Sequence, residues 1–214
     1  WAGGIVIGAR RPWVYAVSSR KRLAPAARTS ADEVVALDAW LVTVIEAGVD
    51  AVQIRERDLP PRVLRDVVRH AMQAAAGRAT AVLVSDRAGG AAAGGAGGVH
   101  LPSDGHPAVR RLRPDWLVGR SVHEGDPPAD DGSPDYVLFG TVFASRSKQP
   151  SARTVGLDGL RAAVQRWPCP VVAIGGISVL SARACVEQGA SGVAAIGLFL
   201  PSGSEPESLG PAEA

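Results

Sequence analysis

Two short apolar runs near the end of the chain each close on glycine: Pro170-Val-Val-Ala-Ile-Gly-Gly-Ile177 and Gly189-Ala-Ser-Gly-Val-Ala-Ala-Ile-Gly197. A helical pattern over 178–188 lies between them, opened by Ser178 as N-cap and stopped by Gly189. Continuous apolar runs of this length read as strands covered on both faces by helices. A glycine-ended pair of them, one helix apart, is how the last two strands of a (β/α)₈ barrel read when the loops beyond them hold a phosphate. Glycine at those positions lets backbone amides come close to an anion.

Upstream, the same strand-then-helix period recurs. Apolar runs at 13–17, 51–54, 81–84, 98–101, 116–119 and 136–140 join 171–174 and 192–196 to make eight candidate strands. Helical stripes lie over 31–47, where Gly48 provides the stop, over 61–75, which opens on proline, and over 158–167. The alternation predicts an α/β fold, a single-domain (β/α)₈ TIM barrel. Three links are weak. Residues 88–97 are glycine-rich and make a poor helix, at ~1 kcal/mol per glycine relative to alanine. Residues 124–134 are short and proline-rich, so the fifth helix is shortened. After Leu200 the chain is polar and proline-containing, so an eighth helix is weak or absent and the tail has the composition of a disordered segment. The expected organisation is an N-terminal segment over 1–12, the barrel over 13–200 and the tail over 201–214. The chain begins at Trp1 without methionine, as an incomplete or processed start would.

Composition narrows the function. A net charge of +2 gives no argument for nucleic acid or a membrane surface, and no apolar run is long enough to span a bilayer. Cys169 and Cys185 lack metal-binding spacing, and with no secretory pattern the expected setting is a cytoplasm with reduced thiols. A homo-oligomer is compatible with such a chain.

In barrels of this kind the chemistry sits at the C-terminal ends of the strands, and those ends carry the polar residues here. Gln53 and Arg55-Glu-Arg-Asp58 end the second run, Ser85-Asp-Arg87 the third, His100 and Asp104 the fourth, Ser121 and His123 the fifth, and Thr141-Val-Phe-Ala-Ser-Arg-Ser-Lys148 the sixth. Arg55 and Arg57 point to one face of an extended segment and suit a pyrophosphate, or else pair with Glu56 and Asp58. Asp86 closes a buried run, where a carboxylate needs a partner; Mg²⁺ or a neighbouring arginine would serve. Asp104 reads as a second oxygen ligand or as a turn cap beside Gly105. Lys148 suits a phosphate as a point charge, or is a solvated loop lysine. His123 can move a proton near neutral pH or make a structural hydrogen bond. His100, between Val99 and Leu101, reads as a satisfied core histidine. Other motifs fail: Ser145-Arg-Ser-Lys148 lacks the partners of an S-x-x-K enzyme, and Gly94-Gly-Ala-Gly-Gly98 precedes its strand instead of following it.

Taken in order, Gln53-Ile-Arg-Glu-Arg-Asp58, Val84-Ser-Asp-Arg87, Gly98-Val-His-Leu101, Gly119-Arg-Ser-Val-His123, Asp135-Tyr-Val-Leu-Phe-Gly-Thr-Val-Phe143, Ala173-Ile-Gly-Gly-Ile177 and Gly189-Ala-Ser-Gly-Val-Ala194 resemble the thiamine phosphate synthase/TenI family from about Trp13 to Leu200. The resemblance implies a transferase of thiamine biosynthesis that joins hydroxymethylpyrimidine pyrophosphate to thiazole phosphate with Mg²⁺ and releases pyrophosphate. Its substrates would be these phosphorylated pyrimidine and thiazole molecules. By resemblance, Gln53, Arg55, Arg57 and Lys148 hold the pyrophosphate, with Ser85, Ser145 and Ser147 at neighbouring substrate-binding positions. Asp86 and Asp104 hold the metal, Ser121 lines the site, and Gly175, Gly176, Ile196 and Gly197 bind the thiazole phosphate. Arg55, Lys148, Ser121 and His123 form the implied catalytic set. The chain departs from the family pattern in having Arg57 for a lysine, Ser85 for an asparagine, Ser145 and Ser147 for threonines, Gly197 for a serine, and an acidic residue shifted to Asp104. The Leu101-Pro-Ser103, Ser121-Val-His123 and Tyr136-Val-Leu-Phe-Gly140 segments are closer to the TenI branch. Those enzymes are thiazole tautomerases, which need no metal and in which the residue matching His123 is the acid/base. A third possibility is a non-catalytic regulatory barrel that binds a phosphorylated ligand.

Overall fold

A computed structural model of the chain describes residues 11–105, 113–128, 134–145 and 153–201. Eight parallel strands close into a barrel in chain order: β1 (Trp13–Val17), β2 (Ala51–Ile54), β3 (Ala81–Ser85), β4 (Gly98–Leu101), β5 (Leu117–Val122), β6 (Tyr136–Phe139), β7 (Val171–Ile174) and β8 (Gly192–Ala195). The last strand returns to the first through the register Trp13↔Gly192 to Ala16↔Ala195. Around the strands lie α1 (Arg20–Leu23), α2 (Ser30–Glu46), α3 (Pro61–Ala74), α4 (Ala88–Gly94), α5 (Gly156–Arg166) and α6 (Val179–Glu187), and a 3₁₀ turn (Gly197–Phe199) follows β8. The expected (β/α)₈ barrel is therefore the fold.

Strand side chains alternate between two apolar layers. Val14, Ala16, Val52, Val82, Val84 and Val99 face outward onto the helices, while Trp13, Tyr15, Ala51, Leu83, Tyr136 and Val172 face the barrel axis. Three aromatic rings fill the lower interior, with centroids of Trp13, Tyr15 and Tyr136 5.9–6.5 Å apart. They fit because small residues stand opposite them. A Cβ on Gly119 would lie 2.1 Å from Tyr136 Cζ, and one on Gly192 2.6 Å from Trp13 Cβ. Higher along the axis the inward positions become polar, at Gln53, Ser85, His100 and Ser121, and there the interior opens.

One expectation about the connections needs correcting. Residues 88–97 do make a helix, α4, because its glycines lie against α3: a Cβ on Gly90 would come 2.8 Å from Leu64 Cδ2, and one on Gly94 2.5 Å from Val68 Cβ. Close helix packing outweighs the propensity cost. The short helix α1 is an element that no apolar stripe announces. It is held by Arg20, buried among Glu33, Glu56 and Asp58. The link after β5 shows no helix among its described residues, consistent with the expected shortening. Beyond β8 the described chain forms the 3₁₀ turn, and the tail from 202 onward lies outside the described residues.

The two kinds of glycine in α4 should respond oppositely to alanine. Gly89 meets nothing within 4 Å, so Gly89→Ala should raise stability by up to ~1 kcal/mol. Gly94→Ala should lower it by ~1–3 kcal/mol, because overpacking against Val68 exceeds the propensity gain. Thermal and denaturant unfolding would read both changes, and equal signs would show that α4 does not pack as described.

Candidate active site

A cavity of about 850 Å³ opens at the C-terminal ends of the strands, within the roughly 300–1,000 Å³ typical of small-molecule sites. One wall is glycine. Gly175 and Gly176 follow β7 with φ of 104° and 62°, a left-handed backbone that other residues rarely adopt. A Cβ at these two positions would meet Thr141 Cγ2 at 2.6 Å and the Ala144 carbonyl at 2.3 Å. Their amides donate to no partner among the described residues. Ile196 and Gly197 continue this wall from β8. The turn there is pinned from behind, where Trp40 Nε1 of α2 donates to the Phe199 carbonyl at 2.7 Å. Open amides at the end of β7 and the start of a short helical turn form a cradle for an anion.

The second wall is cationic and rises from the end of β2. Arg55 and Arg57 both line the cavity and a smaller adjoining one of about 240 Å³. Neither forms an ion pair among the described residues. The carboxylates next to them in the chain, Glu56 and Asp58, are taken elsewhere. Glu56 is buried and accepts from Ser18 Oγ (2.7 Å), the Arg20 amide (2.9 Å) and Arg20 Nη1 (2.9 Å). Asp58 pairs with Arg20 and Lys21. The Arg20 hydrogen bond holds the Asp58 carboxyl well below the usual carboxylate range. Partial burial in the cavity mouth, and then the neighbouring Arg57 charge, press the Arg55 guanidinium below its ordinary value. Two unneutralised guanidinium forks at this point would gain from a bound dianion or trianion.

The floor is polar. Gln53 Nε2 donates to Ser85 Oγ at 2.6 Å, and Ser121 Oγ lies 2.9 Å from His100 Nε2. Gln53, His100 and Ser121 line the cavity, whereas the buried Ser85 is not part of its wall and acts by holding Gln53. His100 is, as read from sequence, a buried and satisfied histidine. Desolvation, and secondarily the Arg55 charge, lower its pKa to about 3. His123 stands on the rim, exposed, with its amide donating to Asp126 Oδ2 at 2.8 Å and its Nδ1 3.5 Å from the same carboxylate. Ser145 lines the cavity after β6. Ser147 and Lys148 lie outside the described residues.

One premise about the acidic residues is overturned. Asp86 was expected as a buried carboxylate in need of a partner, but it is exposed, with φ of 54° just beyond β3. The strand is buried only to Ser85, and the left-handed turn carries the next side chain out to solvent. Asp104 is exposed as well, and neither residue lines the cavity. Among the described residues no three metal-binding side chains come together. Both are exposed oxygen donors of the type Mg²⁺ takes, commonly one or two carboxylates together with waters and substrate phosphates. Sequence reasoning also missed the brace of Ser18, Arg20 and Glu56, whose partners lie 36–38 positions apart along the chain. The only available signal was an uncommonly charged stretch directly after two strand runs.

A family model described as thiamine monophosphate synthase (TMP-TENI) matches residues 26–199. A thiamine-phosphate synthase of Anaeromyxobacter dehalogenans is 40% identical over 169 residues, covering 76% of this chain and 75% of that protein. A putative thiamine-phosphate synthase 2 of Aquifex aeolicus is 30% identical over 193 residues, covering 88% and 98%. Among solved structures, thiamine phosphate pyrophosphorylase from Pyrococcus furiosus superposes with a TM-score of 0.70 at 29% identity, covering 86% of this chain and 84% of that one. A tryptophan synthase α-subunit from the same organism reaches 0.62 at 12% identity, a likeness of fold alone.

His100 makes a prediction about pH. Its folded pKa of about 3 lies below the ordinary 6.5, so between these values the unfolded chain binds the extra proton. Its contribution to stability is complete above about pH 6.5 and is lost as pH falls toward 3, with a limiting slope of ~1.4 kcal/mol per pH unit. The stability difference between wild type and His100→Gln, measured by denaturant unfolding, should therefore shrink on acidification. A difference that stays constant from pH 7 to pH 4 would contradict the assignment.

Proposed function

We propose that this chain, which belongs to the thiamine monophosphate synthase family, joins hydroxymethylpyrimidine pyrophosphate to thiazole phosphate, yielding thiamine phosphate and pyrophosphate. The observation that carries the reading is the presence of two anion walls in one cavity: a glycine cradle after β7 and β8, and Arg55 and Arg57 after β2, which form no ion pair among the described residues. The first suits the thiazole phosphate and the second the departing pyrophosphate. A tautomerase holding a single phosphate would need only one of them.

In the reaction the bond from the pyrimidine methylene carbon to the pyrophosphate oxygen breaks, and its electron pair leaves with the pyrophosphate. The thiazole nitrogen supplies the pair for the new C–N bond. No side chain need form a covalent intermediate, so catalysis is electrostatic stabilisation of the leaving group and alignment of two rings. Arg55 and Arg57, fixed by the brace beneath them, meet the developing charge without rearrangement. Gln53 and Ser121 contact the rings from the floor. Ser145 lines the cavity after β6, and it is assigned to the pyrophosphate together with Ser147 and Lys148, which follow it in the chain. Asp86 and Asp104 would hold Mg²⁺, which when bound supplies further positive charge to the pyrophosphate oxygens. The left-handed backbone at Asp86 supports a functional role, since such conformations cluster at working sites. His123 favours the tautomerase as second reading, because its exposed imidazole stands on the cavity rim.

Incubation with Mg²⁺, hydroxymethylpyrimidine pyrophosphate and thiazole phosphate should yield thiamine phosphate and pyrophosphate in equal amounts. Interconversion of thiazole carboxylate phosphate tautomers without Mg²⁺, and with no pyrophosphate released, would establish the second reading instead. Binding without either activity would leave a regulatory barrel. Within the synthase reading, Arg55→Ala should lower kcat by ~10²-fold. Asp86→Asn should raise the Mg²⁺ concentration needed for half-maximal rate, and an unchanged Mg²⁺ titration would remove Asp86 from the metal site.

A further inference from the structure

Six side chains from six strands make one unbroken line of hydrogen bonds through the barrel. Ser121 Oγ (β5) is 2.9 Å from His100 Nε2 (β4), and His100 Nδ1 is 3.1 Å from Tyr136 Oη (β6). Tyr136 Oη is 2.9 Å from Tyr15 Oη (β1), which donates to Gln53 Oε1 (β2) at 3.2 Å. Gln53 Nε2 donates to Ser85 Oγ (β3) at 2.6 Å. Tyr15 and Tyr136 are fully buried, and neither lines the cavity.

Counting hydrogens gives the line a direction. A carboxamide oxygen carries none, so Tyr15 uses its single hydrogen on Gln53 Oε1. Tyr15 can then only accept from Tyr136, and Tyr136 in turn can only accept, from a proton on His100 Nδ1. His100 is neutral, with its pKa near 3, so a proton on Nδ1 leaves Nε2 bare. Nε2 must then accept from Ser121. The hydrogen of Ser121 is directed inward, and its oxygen offers only lone pairs to the cavity.

We propose that Tyr15, Tyr136 and His100 are positioning residues that make Ser121 Oγ an obligate hydrogen-bond acceptor, which selects an N–H donor on the ring system of the substrate and turns phosphate oxygens away. The identity of that donor rests on the synthase reading: the exocyclic amine of the pyrimidine supplies it, and the thiazole phosphate has none. Phosphate oxygens accept only, so they gain nothing at Ser121 and are directed to the glycine cradle and the arginines. The wire thus orders the ends of the two ligands within one cavity.

Nuclear magnetic resonance of ¹⁵N-labelled histidine tests the wire directly, since the chain has four histidines and His100→Gln assigns the one in question. The expected result at pH 7 is a neutral Nδ1–H tautomer at His100. An Nε2–H tautomer overturns the proposal, whatever the chain catalyses. Tyr136→Phe cuts the wire away from the cavity. It should abolish the tautomer preference and raise the KM for the pyrimidine substrate about tenfold, the loss of one buried hydrogen bond, with the KM for thiazole phosphate unchanged. Should that variant fail to fold, Tyr15→Phe removes the same direction one strand further away. A deaminated pyrimidine analogue should bind wild type and variant equally. A folded variant with an unchanged pyrimidine KM, or one that discriminates against the analogue as wild type does, overturns donor selection. An Nδ1–H tautomer in a protein that makes no thiamine phosphate overturns the synthase reading and leaves the wire standing.

Discussion

The 2.9 Å contact between the hydroxyls of Tyr15 and Tyr136 joins opposite sides of the barrel at the level where its apolar floor becomes a polar site. Both groups are out of reach of water, so each must find its partner within the protein, and an unmade bond there would cost on the order of 1–3 kcal/mol. Burial pushes both phenols well above their ordinary pKa and keeps them neutral. The rings close the interior from below, and their hydroxyls link Gln53 to His100. Room for this arrangement comes from Gly119, whose missing Cβ is the space that Tyr136 occupies.

A second buried constraint acts from outside the barrel. Arg20, on a helix of one turn, gathers Glu56 and Asp58, and Ser18 and the Arg20 amide complete the coordination of Glu56. Burying a charge is tolerable only when it is paired and hydrogen-bonded, and here the pairing has a consequence for the neighbours. In the run Arg55-Glu-Arg-Asp58 the two acids turn away from the cavity and the two arginines remain at it. A segment that is electrically neutral in composition becomes a cationic wall because Arg20 draws both acids aside, with the chain turning at Arg57 and Asp58. In the proposed reaction that wall holds the diphosphate of the pyrimidine substrate.

Much of this was legible in the residue order. Eight apolar runs alternating with helical stripes suffice for the barrel, because each run can be buried only between a partner strand and a covering helix. The glycine-ended close of β7 was readable too, and the left-handed backbone at Gly175 and Gly176 is one that glycine adopts readily. Less visible were features made by residues distant in sequence. The helix over Ala88–Gly94 looked unfavourable from propensity alone and is stabilised by contacts to Leu64 and Val68. Asp86 looked buried because the four residues before it are, yet one left-handed residue turns it to solvent.

The sequence by itself thus determined the strand period, the polar end of the barrel and the types of side chain placed there, since these depend on local alternation and on the burial that each residue type accepts. Which of those side chains pair with one another was decided by the tertiary structure. Whether Glu56 neutralises Arg55 or Arg20, and whether His100 is an inert core residue or the link between Tyr136 and Ser121, depends on distances across the closed barrel. Barrel closure brings positions 121 residues apart into hydrogen-bond contact. Hydrogen bonds and ion pairs act over about 3 Å, and no local pattern in a chain specifies a distance of that size between strands so far apart.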